Sequence, residues 1–526
     1  MTRWLRALLA CGLLFGLANT AEAVTRGGTL TYARYADSLF LDPVLNDANV
    51  DIWILTNLYD TLLQPTADGK DVQPGLATEY SVSDDGLTFT LKLRQGTKFS
   101  DGSPITVDDV KWSLERARNP KNGIWNFTLA SVDSIEAKGA DTVVLHLKNP
   151  DPTLAAALAT FNSAIMPQKP FEATPGATDE EKAKAFAEHP VGSGPFVFDS
   201  WQRGTELVIK RNPNYWQMGE DGKPLPYLDE VRFPVIPDDA TRILKLQAGE
   251  VDGAELIPYA RVAELKNDPN IDMELFPSTK VEFLTVNVRP TLKDGKKNVL
   301  ADPKVRQALN YAIDKEALAK IVTFGIGKPV VSFMSSATPL VDNNGPVYPY
   351  NLEKAKALLK EAGVAEGTEV TSIGLAGSAD EMAILSTIQQ MWAQVGVKLN
   401  IEQLDNATRT ARYRAGDFQM RVSLWTDDIA DPSEIASYFA YFPNIESLHS
   451  GWQDKKVDAL FEQSQKEMDK AKRAAMYKEI QQTYVESAPI MFLYESPYPV
   501  ALRKPVKGFV QIPLGNNIFS GAYVEK

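Results

Sequence analysis

The period of the hydrophobic residues changes near residue 300, and no other feature of the chain restricts its possible folds as much. Upstream, Leu87, Phe89, Leu91 and Leu93 alternate with polar residues, and Gln95 to Gly102 then supplies turn chemistry. Val143 to Leu147 and Leu207 to Ile209 read the same way, on either side of a Pro-containing region around 190 to 196. A period of two puts one face of each strand on a core, so the first half is expected to be α+β with antiparallel pieces. Downstream the spacing is helical. Asp302 offers a cap, Pro303 suits the first helical position, and Val305, Ala308, Leu309, Ala312, Ile313, Leu318 and Ile321 trace an apolar face. Asn351 to Gly363 and Asp380 to Gly396 each start polar and stop at glycine, and the second runs into an alternating strand, Val397 to Ile401. Helix-then-strand alternation over 284 to 488 predicts an α/β lobe separate from the first half.

The N-terminus bears on compartment. Arg3 and Arg6 precede an apolar run from Ala7 to Leu17, and Ala21-Glu22-Ala23 places small residues where a signal peptidase reads. A secretory signal peptide over 1–23, cleaved after Ala23, is expected, which places the mature chain in the periplasm. The single cysteine, Cys11, lies inside that run and partly matches a lipoprotein processing box. Cleavage after Ala23 leaves a mature chain with no cysteine, which removes disulfides, thiol nucleophiles and thiolate metal sites together. The formal charge of −13 becomes about −14 once Arg3, Arg6 and Glu22 are lost. An acidic surface argues against nucleic acid or anionic membrane as partner and favours cationic ligands. About 500 mature residues suggest two to four domains. Glycine and proline are scattered singly, so those domains are expected to share several chain crossings.

One stretch carries more chemistry than the rest. Trp425-Thr-Asp427-Asp428-Ile-Ala-Asp431-Pro432 sets a large aromatic beside three carboxylates, in a segment that Pro432 keeps from being helical throughout. Such a turn can hold a cation, although a solvated acidic loop has the same composition. Catalytic constellations are wanting elsewhere. His146, His189 and His449 are far apart and have no partner at metal spacing. Phe324-Gly-Ile-Gly327-Lys328-Pro329 lacks the spacer and hydroxyl of a phosphate loop and reads as a turn. No catalytic residue, metal or cofactor is assigned, and a binding protein fits this inventory better than an enzyme.

Four segments in order carry a family resemblance: Leu91 to Gly102 (LKLRQGTKFSDG), Val191 to Phe196 (VGSGPF), Arg211 to Trp216 (RNPNYW) and Asp302 to Lys315 (DPKVRQALNYAIDK). Together they resemble the family 5 extracellular solute-binding proteins, which include peptide-, dipeptide-, nickel-, haem- and opine-binding proteins of ATP-driven importers. The resemblance implies an α/β, two-lobed periplasmic binding protein fold, type II-like, in a large three-domain variant with a subsidiary α+β domain. Lobe I is placed at 24–60, 191–283 and 489–526, the subsidiary domain at 61–190 and lobe II at 284–488. Phe283, Val286, Ala488 and Pro489 would form the hinge, and glycines 192 and 194 would serve a chain crossing between lobes.

The resemblance also implies a site. Family peptide binders hold the ligand amine on an aspartate four residues before a proline, which here is Asp428, with Trp425 offering ring contact and Asp427 and Asp431 completing the turn. Dipeptide binders of the family carry an arginine before the helix matching Asp380 to Gly396, and the stretch Thr371 to Ala379 has none. An ordinary dipeptide therefore fits poorly, and Arg409, Arg412, Arg414 and Arg421 are the nearby substitutes. The expected function is capture of an amine-bearing peptide or peptide-like solute by a monomer that delivers it to an inner-membrane ABC permease. A sugar or sugar-conjugate (opine-like) solute is the alternative, since 9 Trp, 18 Tyr and 22 Phe allow ring stacking and aspartates accept from hydroxyls. An exported hydrolase would need a carboxylate pair or metal in the cleft.

Overall fold

The computed structural model describes residues 24–344 and 348–525. The expected signal peptide, with Cys11 and the cleavage point after Ala23, lies outside the described residues. Among these, no helix is long and apolar enough to cross a membrane.

Two large sheets organise the chain. The first has seven strands in the order Ile271–Phe276, Tyr498–Arg503, Gly253–Ala254, Thr29–Ala33, Glu230–Pro234, Glu206–Arg211 and Phe196–Gln202. Thr29–Ala33 runs parallel to both its neighbours, and the other pairings are antiparallel. The second has six strands in the order Lys328–Pro329, Ile490–Glu495, Val281–Val286, Met420–Trp425, Thr368–Leu375 and Val397–Leu404. Between the first and second strands of the seven-stranded sheet in sequence lies an antiparallel four-stranded sheet, Ala77–Val82, Thr88–Leu93, Thr142–Leu147 and Val132–Lys138. The alternation read at Phe89, Leu91 and Leu93 is the buried face of one of its strands.

The apolar residues of the small sheet and of the seven-stranded sheet form one continuous core. Phe89, Leu91, Phe99, Val110 and Leu145 belong to the same buried cluster as Leu30, Tyr32, Val231 and Phe519. Glycine makes this junction possible. A Cβ on Gly192 would lie 1.9 Å from the Leu58 carbonyl oxygen, and one on Gly194 would lie 2.7 Å from that of Asn57. The expected close backbone approach is present, but it seats the return from the small sheet against the end of helix Asn49–Leu58 and does not cross between the two large sheets.

The six-stranded sheet is covered on both faces. Leu284, Val286, Met420, Val422, Met491 and Leu493 pack on helices Pro303–Tyr311, Lys315–Val322, Leu352–Glu361 and Ala379–Ala393. Val281, Phe283, Ile490 and Phe492 face helices Ser433–Phe439, Lys455–Ser464 and Lys470–Ser487. The helical pattern from Asp302 to Ile321 resolves into two helices, because Asp314 caps a second start by accepting from the Ala317 N–H at 2.9 Å. Ile321 leaves the apolar face and is 55 % exposed.

The expected hinge needs correction. Phe283 and Val286 lie in a strand whose six residues are all buried, hydrogen-bonded on both sides to Met420–Trp425 and Ile490–Glu495. Ala488 and Pro489 stop helix Lys470–Ser487 ahead of another strand of the same sheet. The chain passes between the two large sheets at Pro277 to Lys280 and again at Ser496-Pro497. These connections run side by side, and the Ser278 hydroxyl donates to the Ser496 carbonyl at 2.5 Å. A strand buried on both faces shows no period-two alternation in its sequence, so it does not announce itself as a strand. Its ladder hydrogen bonds keep it inside a sheet.

Candidate functional site

The acidic turn leaves the end of strand Met420–Trp425, whose Trp425 pairs with Val281, the first strand residue after the Pro277 to Lys280 connection. That register brings the turn to the junction of the two large sheets. The Asp427 N–H donates to Thr279 Oγ1 at 2.8 Å, while Ile429 and Ala430 pack with Ala156, Ile512 and Leu514 of the opposite body.

The four expected site residues have different roles in the geometry. Asp427 is fully buried, and both its oxygens are used: Trp425 Nε1 donates to Oδ1 at 3.1 Å and Thr338 Oγ1 to Oδ2 at 2.9 Å. Trp425 tilts against Tyr438 with centroids 4.6 Å apart and meets Phe439 edge-on at 5.9 Å. Aromatic pairs of this kind contribute about 0.5–1.5 kcal/mol each beyond their burial. Asp431, expected among the ligand-contacting residues, is instead spent on Arg473. Both oxygens take the guanidinium, Nη2 donating to Oδ1 at 2.7 Å and Nη1 to Oδ2, and Oδ1 also accepts from the Ser433 N–H at 2.8 Å. Through the Ser433 N–H and the Arg473 guanidinium it ties the start of helix Ser433–Phe439 to helix Lys470–Ser487.

Asp428 is the exception. It is partly buried, and among the described residues its carboxylate accepts no hydrogen bond and joins no ion pair. Its backbone N–H and that of Ile429 both donate to Glu434 Oε2, at 3.0 and 3.1 Å. Glu434 holds the turn in shape and was not visible as a site residue in the sequence. Its side chain reaches back six and five residues, farther than a capping box does, so sequence spacing offers no signal for it.

Electrostatics mark the turn as short of positive charge. Burial pushes the Asp428 carboxyl above the ordinary carboxylate range. Burial and then the charge of Asp428 raise Asp427, once its hydrogen bond from Thr338 is set against them, and burial followed by Asp428 and Asp427 raises Glu434. Across the junction, burial and then the charges of Asp428 and Asp427 raise the Tyr498 phenol. Tyr498 stands edge-on to Trp53 at 6.3 Å, and Trp53 to Tyr35 at 6.5 Å. An acidic turn with an aromatic cluster in the opposite body suits a cation with an organic body attached. Beside it a cavity of about 620 Å³ opens between the four-stranded sheet's body and the helices after the turn, lined in part by Phe127, Asp151, Ile429, Glu434, Tyr438 and Phe461. No group of three or more His, Cys, Asp or Glu residues among the described residues is placed to hold a metal ion.

Comparison with known proteins agrees with this architecture. Residues 71–446 match the family described as "Bacterial extracellular solute-binding proteins, family 5 Middle". The chain is 29 % identical over 522 residues to the glutathione-binding protein GsiB of Salmonella typhimurium, covering 97 % of this chain and 96 % of that one. It is also 29 % identical, over 542 residues and 97 % of each chain, to the dipeptide-binding protein of Escherichia coli. The structure of the periplasmic binding protein DppA from Helicobacter pylori, in complex with the peptide STSA, superposes with a TM-score of 0.78 at 26 % identity, covering 95 % of this chain and 99 % of that one. With the family match extending over most of the chain and the two-lobed fold shared, this protein belongs to the family 5 extracellular solute-binding proteins, the substrate-binding components of ABC importers.

Proposed function

We propose that the chain captures an amine-bearing solute, a peptide or peptide-like compound, at the junction of its two lobes, with Asp428 as the partner of the amine. The observation that carries this reading is the bare Asp428 carboxylate, partly buried at the junction of the two bodies and, among the described residues, without a cationic partner. An ammonium supplies what is missing, and a charge-assisted hydrogen bond of this kind contributes about 1.5–3 kcal/mol. The relatives named for glutathione and dipeptide binding are consistent with such a solute. The protein acts as a periplasmic monomer exported by residues 1–23, performs no catalysis, binds no nucleic acid and hands its cargo to an inner-membrane permease. Lobe I, with the four-stranded body attached, and lobe II close about the paired connections at Pro277 to Lys280 and Ser496-Pro497. Mass spectrometry of small molecules released from gently purified, then denatured, protein tests the reading. Recovery of an amine-bearing compound from the wild type, and its absence from Asp428→Asn, is expected. A neutral sugar recovered equally from both would overturn it.

A further inference from the structure

A second cavity, of about 240 Å³, lies under the hairpin of strands Leu63–Pro65 and Val72–Pro74, against the end of helix Asn49–Leu58 and the strands Val510–Gln511 and Asn517–Ile518. Its walls are more apolar than polar, with Leu55, Phe161 and Ile512 among them, and no residue of the Trp425 to Pro432 turn lines it. Among the described residues, Asp60 is the one charged side chain in the lining.

Asp60 is 3 % exposed and joins no ion pair among the described residues. One oxygen belongs to the scaffold: Oδ2 accepts from Trp216 Nε1 at 2.6 Å, which anchors the Arg211 to Trp216 segment. The other, Oδ1, is served only by long bonds, from Gln64 Nε2 at 3.3 Å and the Tyr215 hydroxyl at 3.4 Å. All three donors are neutral. Arg94, whose charge acts on Asp60, is turned onto the Trp216 ring, 4.1 Å from its centroid, and donates to the Gly75 carbonyl instead. Burial accordingly pushes the Asp60 carboxyl up to about 7, against the pull of its hydrogen bonds and of Arg94. Thr56 Oγ1, also of a lining residue, is buried without a partner, which leaves a second polar atom open to an occupant.

What Asp60 lacks is charge, not hydrogen bonds. A hydroxyl would add one more neutral donor, and a metal ion would meet a single carboxylate, since no three metal-ligating side chains converge among the described residues. An ammonium supplies the full countercharge, and Oδ1 has lone-pair capacity left to accept from it. Apolar walls call for an apolar body, and the volume exceeds the roughly 150 Å³ that takes a benzene ring. We propose that this cavity is a second ligand site, independent of the one at Asp428, for a small primary amine carried on an apolar body, with Asp60 as its countercharge.

The probe is 2-phenylethylamine, titrated by calorimetry into wild type and into Asp428→Asn, in which the interlobe carboxylate no longer competes for the amine. Asp428→Asn is expected to bind the amine, and to bind 2-phenylethanol, of the same shape, roughly ten- to a hundredfold more weakly, the size of one charge-assisted contact. Because the cation favours the ionised carboxylate, amine binding at pH 7 should release protons, so that the measured heat changes with the ionisation enthalpy of the buffer. Adding Asp60→Asn should abolish both the preference for the amine and the proton release. Amine and alcohol bound equally by Asp428→Asn, or amine binding by wild type that vanishes in Asp428→Asn, overturns the site without needing any change at Asp60. An Asp60→Asn chain that keeps the preference overturns it as well.

Discussion

Asp428 and Asp431 stand three residues apart in one turn, and on the proposed function the contrast between them separates a ligand contact from scaffold. Asp431 is buried against Arg473, and every oxygen has a partner. Asp428 has none, although its backbone is held as firmly by Glu434. Asp428 is partly buried and Asp431 buried, but burial is not the main difference. The difference lies in whether the fold supplies the opposite charge. A carboxylate whose countercharge comes from its own chain fixes helices, whereas one left waiting for a countercharge selects a ligand.

The largest effect is expected on the scaffold side. Arg473→Ala should lower unfolding stability in chemical denaturation by about 3–5 kcal/mol, since it strands a buried carboxylate. Ligand affinity at a temperature where the variant stays folded should change little. A loss of affinity without a loss of stability would erase the distinction between the two aspartates. Asp428→Asn should behave in the opposite sense, weakening binding of the native solute by about 1.5–3 kcal/mol in calorimetry while leaving stability unchanged or raised.

A pH titration sharpens the same contrast. The folded Asp428 carboxyl is raised above its unfolded value of about 4, so the folded state prefers the protonated form. Its contribution to the ligand-free protein therefore favours folding at low pH and is lost as pH rises from about 4 through the raised value. Binding of an ammonium requires the ionised form. Affinity should therefore fall as pH is lowered through the raised value, and Asp428→Asn should flatten that dependence. A wild-type affinity independent of pH between about 5 and 8 would show that no carboxylate of this turn meets the ligand. The smallest effect is expected at Trp425. Trp425→Phe removes the bond to Asp427 Oδ1 and part of the stacking on Tyr438, for about 1 kcal/mol of stability. It should also remove most of the fluorescence change on adding ligand. A variant that keeps the whole signal places another tryptophan, such as Trp53, at the cleft.

Much of this was legible in the chain. Alternation at Phe89, Leu91 and Leu93 and capping at Asp302 and Asn351 gave real strands and helices, because one buried face leaves a periodic trace. The Trp425 to Pro432 turn stood out because three carboxylates beside an aromatic are uncommon in a scaffold loop. Position along the fold was harder to read. The hinge that the resemblance implies at Phe283 and Val286 falls inside a strand, and a strand buried on both faces has no alternation to mark it in the sequence. Asp431 was grouped with Asp428 because Arg473, 42 residues later, is adjacent only in space. Glu434 was hidden for a related reason, since the backbone N–H groups it holds lie five and six residues before it.

The paired connections between the sheets have a mechanical consequence. Because the Pro277 to Lys280 and Ser496-Pro497 segments lie together and are joined by the Ser278 hydroxyl, the lobe closure proposed above would turn on them as a single pivot. The shared core of the seven- and four-stranded sheets makes everything on one side of that pivot one block. Opening and closing would then reduce to one angle. A membrane partner touching both blocks would sense that angle, and so read whether cargo is present, without contacting the cargo itself.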